Sequence, residues 1–394
     1  MGKVHRKKLK IFLWILVGVS ILTGCWDKVE IEDRAFIALI GIDKFQAASG
    51  DKQAVFSSEG DGFNQENRYT VSYAYPNTGM IAQKIEGEPK FIFVSTGEDL
   101  FSIRESTNTR LGKVLFLRHM KAIVIGEELA KDEQLFRELM DRIDRSPEIG
   151  RKLHLMVTPG LAKDVLDTST KDEGVLGLYI RDLMQRAGRR ARIPDADFGY
   201  ILRSLHESQT AIIPRVISSK NEFKAAGSGV IRDFRLVGWL GEIETEVLMF
   251  MMDRIKASTV DVEMDNLILP LYVTESKAKM KAFEKDGEII VRFDLKMEAD
   301  LKRHLFQRLG ETDESAYYER LQKEASKMLE HQIVALYKKI QKKFGADLLQ
   351  VGEYLRKHEP DLWEKVKNDW DNVYRTTKVE ADVDLKIRRL GVTM

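Results

Sequence analysis

Cysteine is almost missing from this 394-residue sequence: Cys25 is the only one, so neither an internal disulfide nor a cluster of thiolate metal ligands can form. An excess of one charge is missing too. The 63 Lys and Arg stand against 62 Asp and Glu, a net charge of +1, which leaves no global field to draw in nucleic acid. Beyond residue 24 no apolar run approaches the roughly 20 residues of a membrane-spanning helix. The sequence carries no H-E-x-x-H zinc motif, no Walker phosphate loop, no dinucleotide fingerprint and no Cys/His cluster. Asp61, Asn64, Glu66 and Asn67 offer oxygens without the D-x-[DN]-x-[DN]-G spacing of a calcium loop, and we read them as solvated loop. Carboxylates are too numerous for a glycosidase-like pair to be either picked out or dismissed. The expectation is no enzyme, no metal and no cofactor beyond a covalent lipid.

What is present starts at the N-terminus. Lys3, Arg6, Lys7, Lys8 and Lys10 precede an apolar run from Ile11 to Leu22, the layout of a secretory signal. At about a dozen residues the run is too short to be a permanent span. Leu22-Thr23-Gly24-Cys25 resembles the bacterial lipobox, which implies cleavage between Gly24 and Cys25 and lipidation of Cys25 with S-diacylglycerol and an N-acyl chain. Several acyl chains would hold the protein stably on a membrane, since each buried methylene contributes about 0.8 kcal/mol.

The remainder is long for one core, and we expect a signal peptide at 1–24 followed by three domains: an N-terminal mixed-sheet α/β domain at 25–192, a small middle α+β domain at 193–259, and a C-terminal antiparallel sheet covered by long helices at 260–394. The run Ala35 to Asp43 reads as one strand buried on both faces, and 46–67 as a long loop. Strands are expected at 68–75, 91–95, 113–125 and 152–157, and helices at 127–145 and 173–187, an α/β alternation. Arg186, Arg189, Arg190 and Arg192 form the densest basic cluster outside the signal, read as a solvated helix end rather than a lipid-headgroup site. Gly227-Ser228-Gly229 fits neither a nucleophile elbow nor a phosphate loop, and reads as a hairpin. Further on, Ile289, Val291, Phe293, Leu295, Met297 and Ala299 alternate with polar neighbours behind the turn signal Asp286-Gly287. A helix at 315–344 follows, then two helices parted at Pro360, and a final strand of Val379, Ala381, Val383, Leu385 and Ile387.

Cys25-Trp26-Asp27, Glu30, Gly41-Ile42-Asp43, His119 and Gly126-Glu127-Glu128 resemble the first domain of the Ger(x)C family, the lipoprotein C subunits of spore-germination nutrient receptors. Leu236 to Leu240 with the following helix, and then Asp347, Gly352, Trp363, Trp370 and Gly391, extend the resemblance through the middle and C-terminal segments. It implies a germinant-receptor subunit on the outer face of the spore inner membrane, with membrane-embedded A and B subunits as partners. His119 and the two tryptophans are read from the residues alone as structural, without chemistry. A solute-binding lipoprotein serving a transporter is the alternative; its usual pair of similar α/β lobes does not match a C-terminal third built of sheet and helices.

Overall fold

The computed structural model describes residues 30, 33–46, 67–77, 89–168, 176–189, 191–219, 222–255, 257–301 and 314–390. In the first part of the chain the strands are β1 (Arg34–Phe36), β2 (Leu39–Lys44), β3 (Tyr69–Pro76), β4 (Lys90–Gly97), β5 (Val114–Phe116), β6 (Ala122–Gly126) and β7 (His154–Thr158). Between them lie helices α1 (Leu100–Arg110), α2 (Glu127–Lys131), α3 (Glu133–Asp144), α4 (Ala162–Asp167) and α5 (Leu176–Arg189). After these come α6 (Phe198–Ser208), β8 (Thr210–Ser218), β9 (Phe223–Arg232), β10 (Arg235–Leu240) and α7 (Glu242–Met251). The last part holds β11 (Ser258–Met264), β12 (Leu267–Lys285), β13 (Glu288–Leu301), α8 (Glu314–Lys339), α9 (Val351–His358), α10 (Pro360–Val366), α11 (Trp370–Thr376) and β14 (Lys378–Leu390).

One eight-stranded sheet in the order β10-β9-β8-β7-β6-β2-β3-β4 forms the larger body. Its centre, β8-β7-β6-β2, is parallel, and antiparallel pairs extend it at both ends. Parallel strands need crossovers, and the intervening helices cover both faces of the sheet. Phe136 and Leu139 of α3 and Ile201 and Leu205 of α6 pack with Ile123, Ile125 and Leu155 on one face. Val165 and Leu166 of α4 and Ile180 of α5 pack with Leu39, Val124 and Met156 on the other. Alternate residues of the same strands thus enter two cores, the period-two pattern of a doubly covered strand.

Three expected elements of the first part of the chain are divided, and in the last part the second of the two helices parted at Pro360 is divided as well, into α10 and α11 around a 3-10 turn at Lys367–Asp369. The apolar run from Ala35 breaks at residues 37–38: β1 pairs with β5 in a separate two-stranded sheet while β2 joins the large one. The run 113–125 breaks in the same way into β5 and β6 around an exposed turn that carries His119. The helix expected over 127–145 is α2 plus α3, because Asp132 leaves helical geometry and accepts a hydrogen bond from the Leu135 amide at 3.1 Å, capping α3. Apolar periodicity runs on across this break because both helices face the same core. The strands of segment 193–259 do not form a sheet of their own; β8 pairs with β7, so the expected boundary at 192/193 falls inside one layer.

The second sheet has the order β11-β12-β13-β14. Its first three strands are antiparallel, and Asp286-Gly287 closes the β12–β13 hairpin with both residues at positive φ, the type I′ geometry that its sequence signals. The sheet is not wholly antiparallel: β14 returns parallel to β13 after the helical excursion through α8 to α11. Helix α8 continues into a π turn at Ile340–Phe344 and buries Leu321, Leu329, Ile333, Leu336 and Ile340 against this sheet. Its Gln322, Ser326 and Glu330 side chains accept hydrogen bonds from the Ile387, Leu385 and Val383 amides, covering the outer edge of β14. Between the two sheets lies α7, in which Val247 to Met251 are all at most 3% exposed. A helical segment apolar on every side belongs inside a core, and this second half of α7 helps join Val230 and Leu240 of the large sheet to Leu271 and Phe293 of the small one, while its acidic first turn stays at the surface.

Candidate functional site

Gly24 and Cys25, the residues read as cleavage and lipid sites, lie outside the described residues, as does most of the 46–67 loop. His119 stands exposed in its turn with its ring 5.2 Å from that of Phe116 and 5.9 Å from that of Phe36, and among the described residues it belongs to no group placed to hold a metal. Arg186 is exposed on α5 and Arg192 approaches Glu242 at 4.0 Å, while Arg190 and the side chain of Arg189 are outside the described residues. Gly227-Ser228-Gly229 is strand rather than hairpin. Gly227 has φ of +80°, a Cβ there would stand 2.4 Å from the Leu240 carbonyl oxygen, and the buried Ser228 hydroxyl bonds to that of Thr245 at 3.0 Å. The true hairpin follows at Asp233-Phe234, both at positive φ.

The Gly41-Ile42-Asp43 motif becomes intelligible from the far end of the domain. Asp43 is buried, and its carboxylate accepts hydrogen bonds from the Ala162 amide at 2.7 Å and the Lys163 amide at 3.1 Å, doing for α4 what its own N-cap Leu161 cannot. Gly41 lets α4 approach, since a Cβ there would lie 2.9 Å from Leu166. Gly126 admits the carboxylate: a Cβ in its place would lie 2.0 Å from Asp43 Oδ1. Burial pushes the Asp43 carboxyl above its usual range, opposed by the two amide donors.

Asp347 plays a matching part in the C-terminal half. Its carboxylate accepts from the Val351 amide at 2.9 Å, the Gly352 amide at 2.8 Å and the Trp370 indole N–H at 3.3 Å, capping α9 and tying it to α11. Desolvation pushes this carboxyl up against the pull of those donors. Trp363 and Trp370 meet edge to face at 5.5 Å over Gly352, where a side chain would strike the Trp370 ring at 2.7 Å. The Asp347 carbonyl accepts from the Thr210 hydroxyl of β8 at 3.1 Å, one of the bonds between the halves. Another is the Lys339–Glu244 ion pair at 2.6 Å, and a third the Arg232–Asp371 pair at 2.6 Å.

Beside this joint a cleft of about 790 Å³ opens between the edge strand β10, α2 and the end of the π turn. Trp239 forms part of its wall and donates its indole N–H to Glu127 at 3.2 Å. Gly238 is pressed by Phe344, whose ring a Cβ would meet at 2.3 Å. An apolar hollow of about 270 Å³ lies elsewhere, under α1, walled by Ile42, Val71, Tyr73 and Ile123. Among the described residues no group of three or more His, Cys, Asp or Glu is placed to hold a metal, and no helix is long and apolar enough to cross a membrane.

Two sheets locked together by a buried helix, with carboxylates spent on capping and polar clefts at the joint, define the class of the described residues as a two-sheet α+β scaffold. Comparison with known proteins identifies the family. The family described as spore germination protein N-terminal domain matches residues 27–218, and that described as spore germination B3/GerAC like, C-terminal, matches residues 226–391. The chain therefore belongs to the Ger(x)C family of spore germination proteins. It is 24% identical to the spore germination protein YndF and 23% identical to the spore germination protein B3, both of Bacillus subtilis (strain 168), with 98% of each chain covered in both pairs. The crystal structure of the GerBC protein has the same fold, with a TM-score of 0.59 and 21% identity over 83% of this chain and 98% of that one.

Proposed function

We propose that this protein is a lipid-anchored subunit of a spore germinant receptor complex, held on the outer face of the spore inner membrane and working by contact with membrane-embedded A and B subunits rather than by turnover. The observation that carries this reading is the family match, which takes in both halves of the chain from residue 27 to residue 391. The lipobox supports the anchor. With β1 starting at Arg34, the stretch after Cys25 reaches at most about 30 Å even when fully extended, so the small β1–β5 sheet would stay close to the bilayer. One three-layer body joined to one helix-covered sheet gives no support to the two-lobed alternative of a solute-binding lipoprotein.

The anchor is tested by Cys25→Ala. The expected outcome is an uncleaved precursor or loss from the membrane fraction, and wild-type protein carrying the mass of its acyl chains. Wild-type protein extracted from membranes with no acyl mass would refute it.

A further inference from the structure

We propose that the cleft along β10 is a docking site for an extended, carboxylate-bearing segment of a partner protein, which would add to the large sheet as a ninth strand. The proposal rests on the reading of this chain as a complex subunit and names the surface that reading requires.

Three observations carry it. First, β10 is the terminal strand of the eight-stranded sheet, and among the described residues no backbone hydrogen bond from outside the sheet is made to Arg235–Leu240. The contrast with β14 is informative. There α8 spends three polar side chains on the outward amides, whereas the β10 edge faces an open cleft of about 790 Å³. A row of open backbone donors and acceptors is a template for strand addition, here in two short stretches on either side of the bulge at Val237. Second, the walls carry a cationic excess. Arg235, Lys343 and Arg375 are exposed and have no carboxylate within ion-pair distance among the described residues, while the acids of the lining are already engaged, Glu127 by Lys131 and the Trp239 indole, Glu133 by Arg137 and Asp233 by Arg232. Third, like charges converge. Guanidinium nitrogens of Arg375 and Arg232 both lie within 2.5 Å of the point a Cβ on Gly345 would occupy, and only Arg232 is neutralised, by Asp233 and Asp371. With Arg232 satisfied by those two carboxylates, the Arg375 fork beside it is left to take a carboxylate from outside in bidentate fashion.

The shape selects the occupant. A bilayer surface meets projecting charges, whereas these line a concavity between two domains, beside an open strand edge and the half-buried Gly238 and Trp239. A second copy of this face would bring the same cationic walls, its own Arg235 included, against these and be repelled.

The test uses the full-length protein in detergent with a fluorescent synthetic peptide of alternating glutamate and valine, a lysine–valine peptide as control, and phosphatidylglycerol vesicles as a competing surface. Binding of the acidic peptide is expected, together with slowed hydrogen exchange at the amides of Arg235–Leu240, and Arg235→Glu with Lys343→Glu should weaken binding about tenfold at an unchanged melting temperature. Equal binding by the double variant, binding without slowed exchange at β10, or slowed exchange with vesicles in place of the peptide would each overturn the proposal. In spore membranes the same variant should lose its co-purifying membrane partners. A variant that keeps them overturns this cleft as their docking site and leaves the subunit reading standing, whereas wild-type protein that co-purifies with no membrane partner overturns the subunit reading itself.

Discussion

Asp43 shows how a motif residue that looks functional in sequence can be spent on structure. It serves an amide 119 positions away, and Gly41 and Gly126 lack side chains at the two places where one would block that contact. Replacing Asp43 by Ala leaves two amides at the start of α4 without an acceptor, and we expect a loss of about 2 kcal/mol in denaturant unfolding. Asp43→Asn keeps one acceptor oxygen and is expected to lose less than Ala. Equal losses would show that the carboxylate geometry described here is not what holds α4. The same logic applies at Asp347, Gly352, Trp363 and Trp370, which read in sequence as a scattered set and in space as one cap with its lid.

At the scale of elements, periodicity was a sound guide where a single face meets a single core. The stripe Leu321, Leu329, Ile333, Leu336 and Ile340 is buried as its spacing implies, and Lys338 and Lys342 are exposed. Leu336→Ala is accordingly expected to cost 2–5 kcal/mol, roughly the range for a buried leucine, and Lys338→Ala no more than about 0.5 kcal/mol; comparable losses for the two would contradict this packing. Local pattern does not mark an element whose identity depends on remote partners. The breaks within 35–43 and 113–125 arise because β1 and β5 pair with each other and not with the sheet that takes β2 and β6. The short α1 and α4 carry little apolar periodicity, and the capping role of Asp43 leaves no local mark at residue 162. The parallel return of β14 follows from the path of the chain through α8–α11, which no strand pattern records. The cleft along β10 was equally hidden, because its walls come from residues 127, 235, 343 and 375, and only the fold assembles them.

The joint between the halves also makes a pH prediction. Burial alone would raise the Glu244 carboxyl, but the Lys339 ammonium and the Gly241 amide outweigh it and hold the group below its ordinary value of 4.5. A depressed native value means that the bridge stabilises the fold above the unfolded-state pKa and is lost as pH falls through the native one. Thermal melts taken downward from pH 5 should therefore show a decline that is shallower in Glu244→Gln. Parallel declines in the two proteins would mean that Glu244 contributes nothing to the acid response.

For the molecule as a whole, the buried helix α7 and the ion pairs beside it make the two sheets one body, so a partner that grips the β10 cleft would touch both halves at once. Family membership places this body in spore germination, and the account makes it a contact-making subunit of a receptor. Cross-linking with mass spectrometry in native spore membranes tests that claim most directly. The account predicts cross-links from exposed lysines of this chain to two kinds of membrane-embedded germination subunit, including links from Lys343 beside the cleft. Cross-links confined to a solute transporter, or none to any membrane protein, would contradict it.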